Sequence, residues 1–311
     1  MTAPRLSVLI PTHNPRADSL ARVFAALAVQ TLPASDWELI VIDNASTPPV
    51  QLPPDWQGRA RVVVETTLGL THARMCGLAQ ARAPLLVWVD DDNVLAPDYL
   101  AEVLAAFAAE PQLGALGGKS LPEYAITPPA WFHEGIAPLG CRDLGDQPQV
   151  MAWSGDYPAA APIGAGLAIR RELMASWVDA VRRDPRRQAL GRQGTRLTSG
   201  EDNDICLTVL RAGFLLGYQP RLQLVHLIAA GRLQADYLAR IARVSFRDFI
   251  RVLALHGIQR WTAIPPWTVP LRGWRAFFAQ RAWRGPVERI RWQAALGSFE
   301  GRAALTRENE R

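Results

Sequence analysis

No stretch of this chain is apolar for long enough to span a bilayer, which takes roughly 18–20 residues. The start carries no charged region followed by a long apolar run and a small-residue cleavage site. No secretory signal is expected from it. Cysteine is scarce. Cys76, Cys141 and Cys206 are odd in number and far apart, which argues against a disulfide framework and against a zinc site. A reducing cytoplasm is the expected compartment, and the sequon Asn44-Ala45-Ser46 is expected to be fortuitous. Glycine is missing from Pro11-Thr12-His13-Asn14, the turn after the first apolar run, so the dinucleotide fingerprint is excluded. Gly117-Gly118-Lys119-Ser120 resembles the end of a P-loop, but the first glycine of that motif falls on Leu113. Pro122 also disfavours the helix that should follow. Internal repeats and low-complexity tracts are absent.

What is present is an ample core. The chain has 311 residues, 49% of them hydrophobic, enough for one large domain or two smaller ones. The net charge of +5 is unevenly placed: residues 240–311 carry 14 Arg against five acidic residues, a net +9, which leaves −4 on residues 1–239. An acidic body argues against a nucleic-acid-binding core, and the basic tail points to an anionic partner.

The first half alternates apolar runs with helical patterns. Leu6–Ile10, Leu39–Ile42, Val62–Val64, Leu85–Val89 and Leu113–Leu116 read as strands. Leu20, Val23, Phe24 and Leu27 share one helix face, as do Leu100, Val103, Leu104 and Phe107 after Pro97-Asp98. A further helix is expected over Thr71–Arg82. Such alternation predicts a mainly parallel sheet with helices on both faces. Residues 118–163 read as loops and short strands beside a cleft, Ile163–Ile169 as a turn into a strand, Arg182–Arg196 as a charged mobile loop, and Ser199–Ala212 as a helix stopped by Gly213.

Three aspartates, Asp90, Asp91 and Asp92, close the run Leu85–Val89. Like charges ~4 Å apart repel by roughly 1 kcal/mol even in bulk water, so three together call for a cation, donors or full solvation. A divalent-metal site and a solvated acidic turn both satisfy that. Asn14, Asp43 and Asp90–Asp92 all fall at carboxyl ends of expected strands, the edge where open α/β sheets bind ligands.

These segments, taken in order, resemble family 2 glycosyltransferases of the GT-A type. Pro11-Thr12-x-Asn14 is similar to their opening, Asp43-Asn44-Ala45-Ser46 to their second-strand element, and Gly69 to Arg74 with Gly77 to their "G-x-x-x-A-R-x-x-G" segment. Asp90–Asp92 with Pro97-Asp98 resembles their metal motif, and Gly200-Glu201-Asp202 their acceptor-side motif. The resemblance runs from about Leu6 to about His226. It implies a GT-A Rossmann-like α/β fold with a helical C-terminal extension. Residues 1–230 would be the catalytic domain, with a nucleotide-binding half over about 1–118 and an acceptor half over about 119–230. Residues 231–311 would be the basic, Trp-rich helical region.

The implied activity is inverting transfer from a nucleotide-sugar, a UDP-sugar by preference, to a saccharide or lipid-linked saccharide hydroxyl. The implied donor site comprises Pro11, Thr12, Asn14, Asp43, Asn44, Gly69, Arg74, Asp90 and Asp91, with Asp43 on the base. Mg²⁺ or Mn²⁺ would sit on Asp92, with Asp90 on the ion or on the ribose, since hard cations take oxygen donors; His226 would be a further ligand or, as a lone His after a strand more often is, a structural residue. Asp202 would be the general base, with Glu201 beside it as a catalytic residue. Ser199-x-x-Asp202 also reads as a capping box. A helix N-terminus carries partial positive charge, so both roles suit a carboxylate there.

Trp261, Trp267, Trp274, Trp283 and Trp292 lie among many Arg, with a break at Gly285-Pro286. Aromatics with Arg on a helix suit a bilayer interface; a hairpin packed on the catalytic domain suits them equally. A peripheral place on the inner face of the membrane follows from the first reading. Trp131 and Trp153 are expected to pack rather than to stack on acceptor sugars. Two rivals stand beside a transferase of sugars. One is a nucleotidyltransferase, which typically has a Gly-rich phosphate loop that this chain lacks. The other is a non-catalytic nucleotide-sugar-binding subunit of a glycan-assembly complex. Donor sugar, acceptor and pathway do not follow from the motifs.

Overall fold

The computed structural model describes residues 3–194 and 197–309. The apolar runs form strands β1 (Leu6–Thr12), β2 (Trp37–Asp43), β3 (Ala60–Val64) and β4 (Leu85–Trp88), paired in parallel in the order β3-β2-β1-β4. Every residue of β1, β2 and β4 is buried, as a sheet covered on both faces requires. Side chains alternate between those faces. Val8, Ile10, Leu39, Val41 and Val87 enter one core with helices α1 (Ala17–Ala28) and α3 (Tyr99–Ala109). Leu9, Ile40, Ile42, Leu86 and Trp88 enter a second core with α2 (Leu70–Gln80), α4 (Arg171–Arg183) and α6 (Glu201–Arg211). Each fully buried Leu, Ile or Val contributes about 1.5–3 kcal/mol to this sandwich.

Beyond β4 the sheet changes character. Strand β8 (Ala168–Arg170) runs antiparallel between β4 and β6 (Leu113–Tyr124), and β6 pairs in parallel with β9 (Leu215–Ile228). Two short strands, β5 (Asn93–Leu95) and β7 (Gln149–Met151), pair antiparallel with β9. The parallel expectation therefore holds for the first half, and the second half is mixed. The P-loop-like Gly117–Ser120 lies inside β6, in extended backbone.

Chain direction reverses its progress across the sheet between β1 and β4, because β2 and β3 lie to one side of β1 and later strands to the other. That switch point is where the ends of two neighbouring strands splay and leave a crevice. Thr12 and the aspartate run flank it.

Two local expectations are corrected. The charged segment Arg182–Arg196 is partly helical: α4 runs to Arg183 and a short α5 covers Pro185–Gln188. Asp184 caps α5 by accepting from the Arg186 backbone N–H. Thr195 and Arg196 lie outside the described residues. The capping box over Ser199–Asp202 does not form, since Gly200 is the cap residue with no side-chain cap. Asp98 stands at the start of α3 with no side-chain cap either.

The C-terminal region folds as α7 (Ala235–Leu255), α8 (Val269–Ala279) and α9 (Pro286–Asn309). The break at Gly285-Pro286 separates α8 from α9, as expected. Gly297 and Gly301 let α9 approach α7 closely: a Cβ at Gly297 would meet the Arg243 carbonyl oxygen, and one at Gly301 would lie 2.8 Å from that of Arg247. The Trp292 indole N–H donates to the Gly273 carbonyl at 2.9 Å and ties α9 to α8. No helix among the described residues is long and apolar enough to cross a membrane.

Candidate active site

A cleft of about 660 Å³ opens at the switch point. Pro11, Thr12, Asn44, Gly69, Arg74, Asp90, Asp91, Asp92, Glu201, Asp202 and His226 line it, so most of the expected residues converge. Strand register explains the central contact. Asn93 of β5 pairs with His226 of β9. This brings Asp92, one residue before β5, beside the imidazole: Asp92 Oδ2 lies 3.4 Å from His226 Nε2. The Leu227 N–H closes the turn by donating to the Asp92 carbonyl at 2.9 Å.

The three carboxyls differ. The Thr12 hydroxyl donates to Asp91 Oδ2. Burial pushes Asp91 up to about 7; the Thr12 hydrogen bond opposes this and the charges of Asp92 and Asp90 add to it. Burial and the neighbouring Asp92 charge also raise Asp90. For Asp92 burial acts upward, but the neighbouring His226 side chain and the charges of Arg232 and Arg192 prevail and hold it below the ordinary value. Asp92 is thus the carboxylate of the run that stays ionised most readily, and with the His226 ring nitrogen it offers an oxygen and a nitrogen donor side by side. A guanidinium already faces both, so the position is electrostatically a cation site. Among the described residues no three Asp, Glu, His or Cys side chains gather as a metal cluster, so the expected set of Asp92, Asp90 and His226 does not close on one point; Mg²⁺ or Mn²⁺ held by the Asp92–His226 pair would take its remaining positions from a ligand.

Across the cleft, Gly200 makes the turn into α6 at φ +122°, where a Cβ would lie 2.8 Å from Val252 of α7. The Ser199 N–H donates to buried Asp248 of α7 at 3.2 Å. These contacts fix the first turn of α6. Asp202 there accepts from the Gly164 N–H at 3.1 Å and from the Asn203 N–H at 2.9 Å, and its carboxylate remains half-buried at the cleft wall.

Glu201 is placed differently from its neighbour. Its Oε2 accepts from the Thr71 hydroxyl at 2.7 Å and its Oε1 lies 2.9 Å from Arg74 Nε, close but not aligned as a hydrogen bond. Burial raises the Glu201 carboxyl, against the pull of Arg74 and Thr71. A Cβ at Gly191 would lie 2.2 Å from Glu201 Oε2, so only glycine permits this packing. Arg74 and Glu201, expected as a donor ligand and a catalytic residue, therefore spend their charges on each other.

Asp43 and Asn14 do not line the cleft. Asp43 accepts from the Ser46 N–H at 3.0 Å and the Val50 N–H at 2.9 Å. Burial opposes ionisation, yet the bonds from Ser46 and Val50 hold this carboxyl below its ordinary value. Asn14, at φ +49°, accepts from the Thr47 N–H at 2.8 Å. Asn44 braces the rim: its amide donates to the Glu65 and Thr67 carbonyls and accepts from the Gly69 N–H at 2.7 Å. Trp131 and Trp153 pack in apolar clusters, as expected.

Sequence reasoning missed Arg192, Arg232 and the α7 wall of Ile241, Ser245, Phe246 and Phe249, all of which line the cleft. Arg232 follows His226 by six residues, and that proximity was the available signal. The helix carrying Ile241 to Phe249 gives a continuous helical pattern with no local mark of a site.

Residues 7–137 match the family model described as "Glycosyl transferase family 2". A validoxylamine A glucosyltransferase of Streptomyces hygroscopicus subsp. jinggangensis is 39% identical over 110 residues, 34% of this chain and 26% of that protein. A hyaluronan synthase of Streptococcus pyogenes is 26% identical over 121 residues, 36% of this chain and 29% of that protein. The matched segments thus span only about a quarter of the length of these curated relatives. Among solved structures, GalNAc-T7 with UDP, GalNAc and Mn²⁺ superposes with a TM-score of 0.55 at 17% identity, covering 99% of this chain and 57% of that one. The mannosyltransferase PcManGT from Pyrobaculum calidifontis, in complex with GDP-Man and Mn²⁺, superposes at 0.52 and 18% identity, covering 99% and 80%. The fold is that of GT-A glycosyltransferases, and the N-terminal region carries the family 2 sequence pattern.

Proposed function

We propose that this protein is a metal-assisted, inverting glycosyltransferase that moves a sugar from a nucleotide-sugar to an acceptor hydroxyl. The observation that carries this reading is the cleft itself: the Asp92–His226 pair and the Asp202 carboxylate face one crevice at the switch point of the sheet. Asp92 and His226 would hold Mg²⁺ or Mn²⁺, with Asp90 nearby. That ion supplies charge neutralisation to a departing diphosphate. Thr12, Asn44 and Gly69 form the rim against which the nucleoside end of the donor rests. Asp202, anchored through Gly164 and the first turn of α6, takes the proton of the acceptor hydroxyl. The acceptor oxygen then forms its bond to the anomeric carbon as the bond to the diphosphate oxygen breaks on the opposite face. The α7 wall, with Phe246 and Phe249, gives the acceptor a partly apolar surface.

The lack of a Gly-rich phosphate loop after β1 weighs against a nucleotidyltransferase. The test is turnover of a panel of UDP- and GDP-sugars with Mn²⁺, with the anomeric configuration of the product read by NMR. Nucleotide binding with neither hydrolysis nor transfer on any acceptor would favour a non-catalytic binding subunit. A retained anomeric configuration would overturn the inverting mechanism.

Residues 261–311 support a second element, a peripheral contact with an anionic bilayer. Trp267 is 78% exposed, Trp274 63% and Trp283 57%. The Trp274 and Trp283 rings belong to one patch: Phe278 packs on Trp274 and Trp283, and Phe277 on Phe278, Trp283 and Trp292. Residues 249–287 contain no Asp or Glu, and Arg272, Arg275, Arg281 and Arg284 flank these rings in sequence. Exposed indoles among Arg suit the interface of an anionic membrane, where rings sit at headgroup level and guanidinium groups meet phosphates.

A further inference from the structure

Resting on the reading of the cleft as a metal-assisted donor site, we propose that Arg232 is the built-in counter-ion of the metal position and couples ion binding to diphosphate binding. Arg232 Nη1 donates to Asp92 Oδ2 at 3.2 Å and lies 3.0 Å from His226 Nε2. His226 Nδ1 lies 3.4 Å from the Gly140 carbonyl oxygen, an acceptor only. The ring hydrogen is therefore assigned to Nδ1, and the Nε2 lone pair points at the guanidinium. The two lone pairs that a divalent ion would use are both turned toward a cation supplied by the chain.

Ion and guanidinium exclude each other there. Divalent ions hold oxygen and nitrogen donors at about 2.0–2.2 Å, inside the distance at which Nη1 stands. Displaced by an ion alone, Arg232 would lose its partners in a half-buried wall. Displaced while a diphosphate is present, its planar fork gains an anion that it matches in two bonds.

The rest of the side chain is lightly held. Nη2 reaches the Leu139 carbonyl only at 3.4 Å, and Nε is buried without a hydrogen-bond partner. A buried donor left unpaired is costly, so the present conformation leaves something for a ligand to satisfy. Arg232 sits on a short 3-10 turn, Ala230–Leu233, just past β9, and it lines the cleft. Its side chain can turn from Asp92 to a cleft anion while the β9 backbone stays in register. By linkage, an ion that binds better with diphosphate makes diphosphate bind better with the ion.

The experiment measures Mn²⁺ binding through the electron paramagnetic resonance signal of the free ion, with and without UDP, and with GDP in parallel. Wild type, Arg232→Gln and Arg232→Lys are compared after their melting profiles are recorded. In wild type the nucleotide should tighten Mn²⁺ binding by about tenfold or more. In Arg232→Gln, nucleotide-free Mn²⁺ should bind about tenfold tighter than in wild type, and the nucleotide should tighten it less than it does in wild type, leaving only the direct coupling of ion and diphosphate. Arg232→Lys keeps the charge, so its nucleotide-free affinity should stay near that of wild type. Unchanged or weaker nucleotide-free binding in Arg232→Gln overturns the proposal. Should Arg232→Gln fail to fold, nucleotide-free binding in Arg232→Lys about tenfold tighter than wild type overturns it equally. Wild type that binds neither Mn²⁺ nor either nucleotide defeats the reading of the cleft itself. Wild type that binds both, with a normal Arg232→Gln, defeats only the role of Arg232.

Discussion

Arg74 Nε stands 2.9 Å from Glu201 Oε1, and this ion pair, with side chains 3% and 5% exposed, joins α2 to α6 across the cleft. Breaking a buried pair leaves one charge without its partner. Arg74→Ala is expected to cost about 3–5 kcal/mol in urea unfolding. Glu201→Gln should cost less, because an amide oxygen still accepts from Thr71. Both variants unfolding within about 0.5 kcal/mol of wild type, the range of neutral surface changes, would show that the pair does not hold α2 and α6 together.

Asp202→Asn keeps the shape of the side chain and removes its basicity. The proposed base predicts a fall in kcat of about 10²–10⁴-fold, with Mn²⁺-dependent UDP binding by calorimetry unchanged. Full activity in the variant would move the base elsewhere in the cleft.

The aspartate run predicts a pH effect on the metal-free protein. Asp91 is raised to about 7 in the fold against an ordinary 3.8, so the native state holds a proton that the unfolded chain has released. Stability should fall as pH rises from about 4 to about 7 and then level off, since the unfolded state binds fewer protons across that window. Asp92 shifts the other way, and its contribution is present above the unfolded value and lost as pH falls through the folded one. Asp91→Asn isolates the first effect. Its melting temperature should exceed that of wild type more at pH 8 than at pH 5. An equal difference at both pH values would refute the assignment.

Gly140 has φ +76°, and a Cβ there would lie 3.1 Å from His226 Cε1. Gly140→Ala should push the ring from Asp92 and weaken Mn²⁺ binding in the presence of UDP by about 10–100-fold, as for other residues that orient a metal ligand. Titration calorimetry reads this directly. Unaltered affinity would mean that His226 does not touch the ion.

The aromatic patch predicts co-sedimentation with vesicles of phosphatidylglycerol and phosphatidylcholine, weakened by salt. Replacing Trp274, Phe278 and Trp283 together by Ala should abolish it while the melting temperature changes little, because these three side chains are largely exposed. No binding by the intact chain, or equal binding by the triple variant, removes the membrane reading. Self-association of the intact chain through these rings, lost in the triple variant without vesicle binding, would make the patch an interface between copies instead.

Much of this architecture is legible in short windows of sequence. The runs Leu6–Ile10, Leu39–Ile42 and Leu85–Val89 announce strands because a strand covered on both faces leaves no polar position, and β1, β2 and β4 are buried throughout. Helices α1 and α3 follow from a repeat that places apolar side chains on one face. The aspartate run could be placed at a strand end because charge cannot continue into such a core. Boundaries were less legible: β6 extends to Tyr124 through Pro122, and α5 interrupts what composition alone marks as loop.

By itself, then, the sequence determined the two-faced parallel half of the sheet, the helices that cover it and the acidic edge at its switch point, because each depends on periodicity and burial within a few residues. Only the tertiary structure decided how the charges are spent. Asp92 and Arg232 meet across 140 positions, and Thr71 and Glu201 across 130. The register of Asn93 against His226 sets the Asp92–His226 pair, and the packing of α7 against Gly200 sets the first turn of α6. Such contacts depend on which strands become neighbours and on the distance between side chains across the cleft, and no local pattern of residues encodes either.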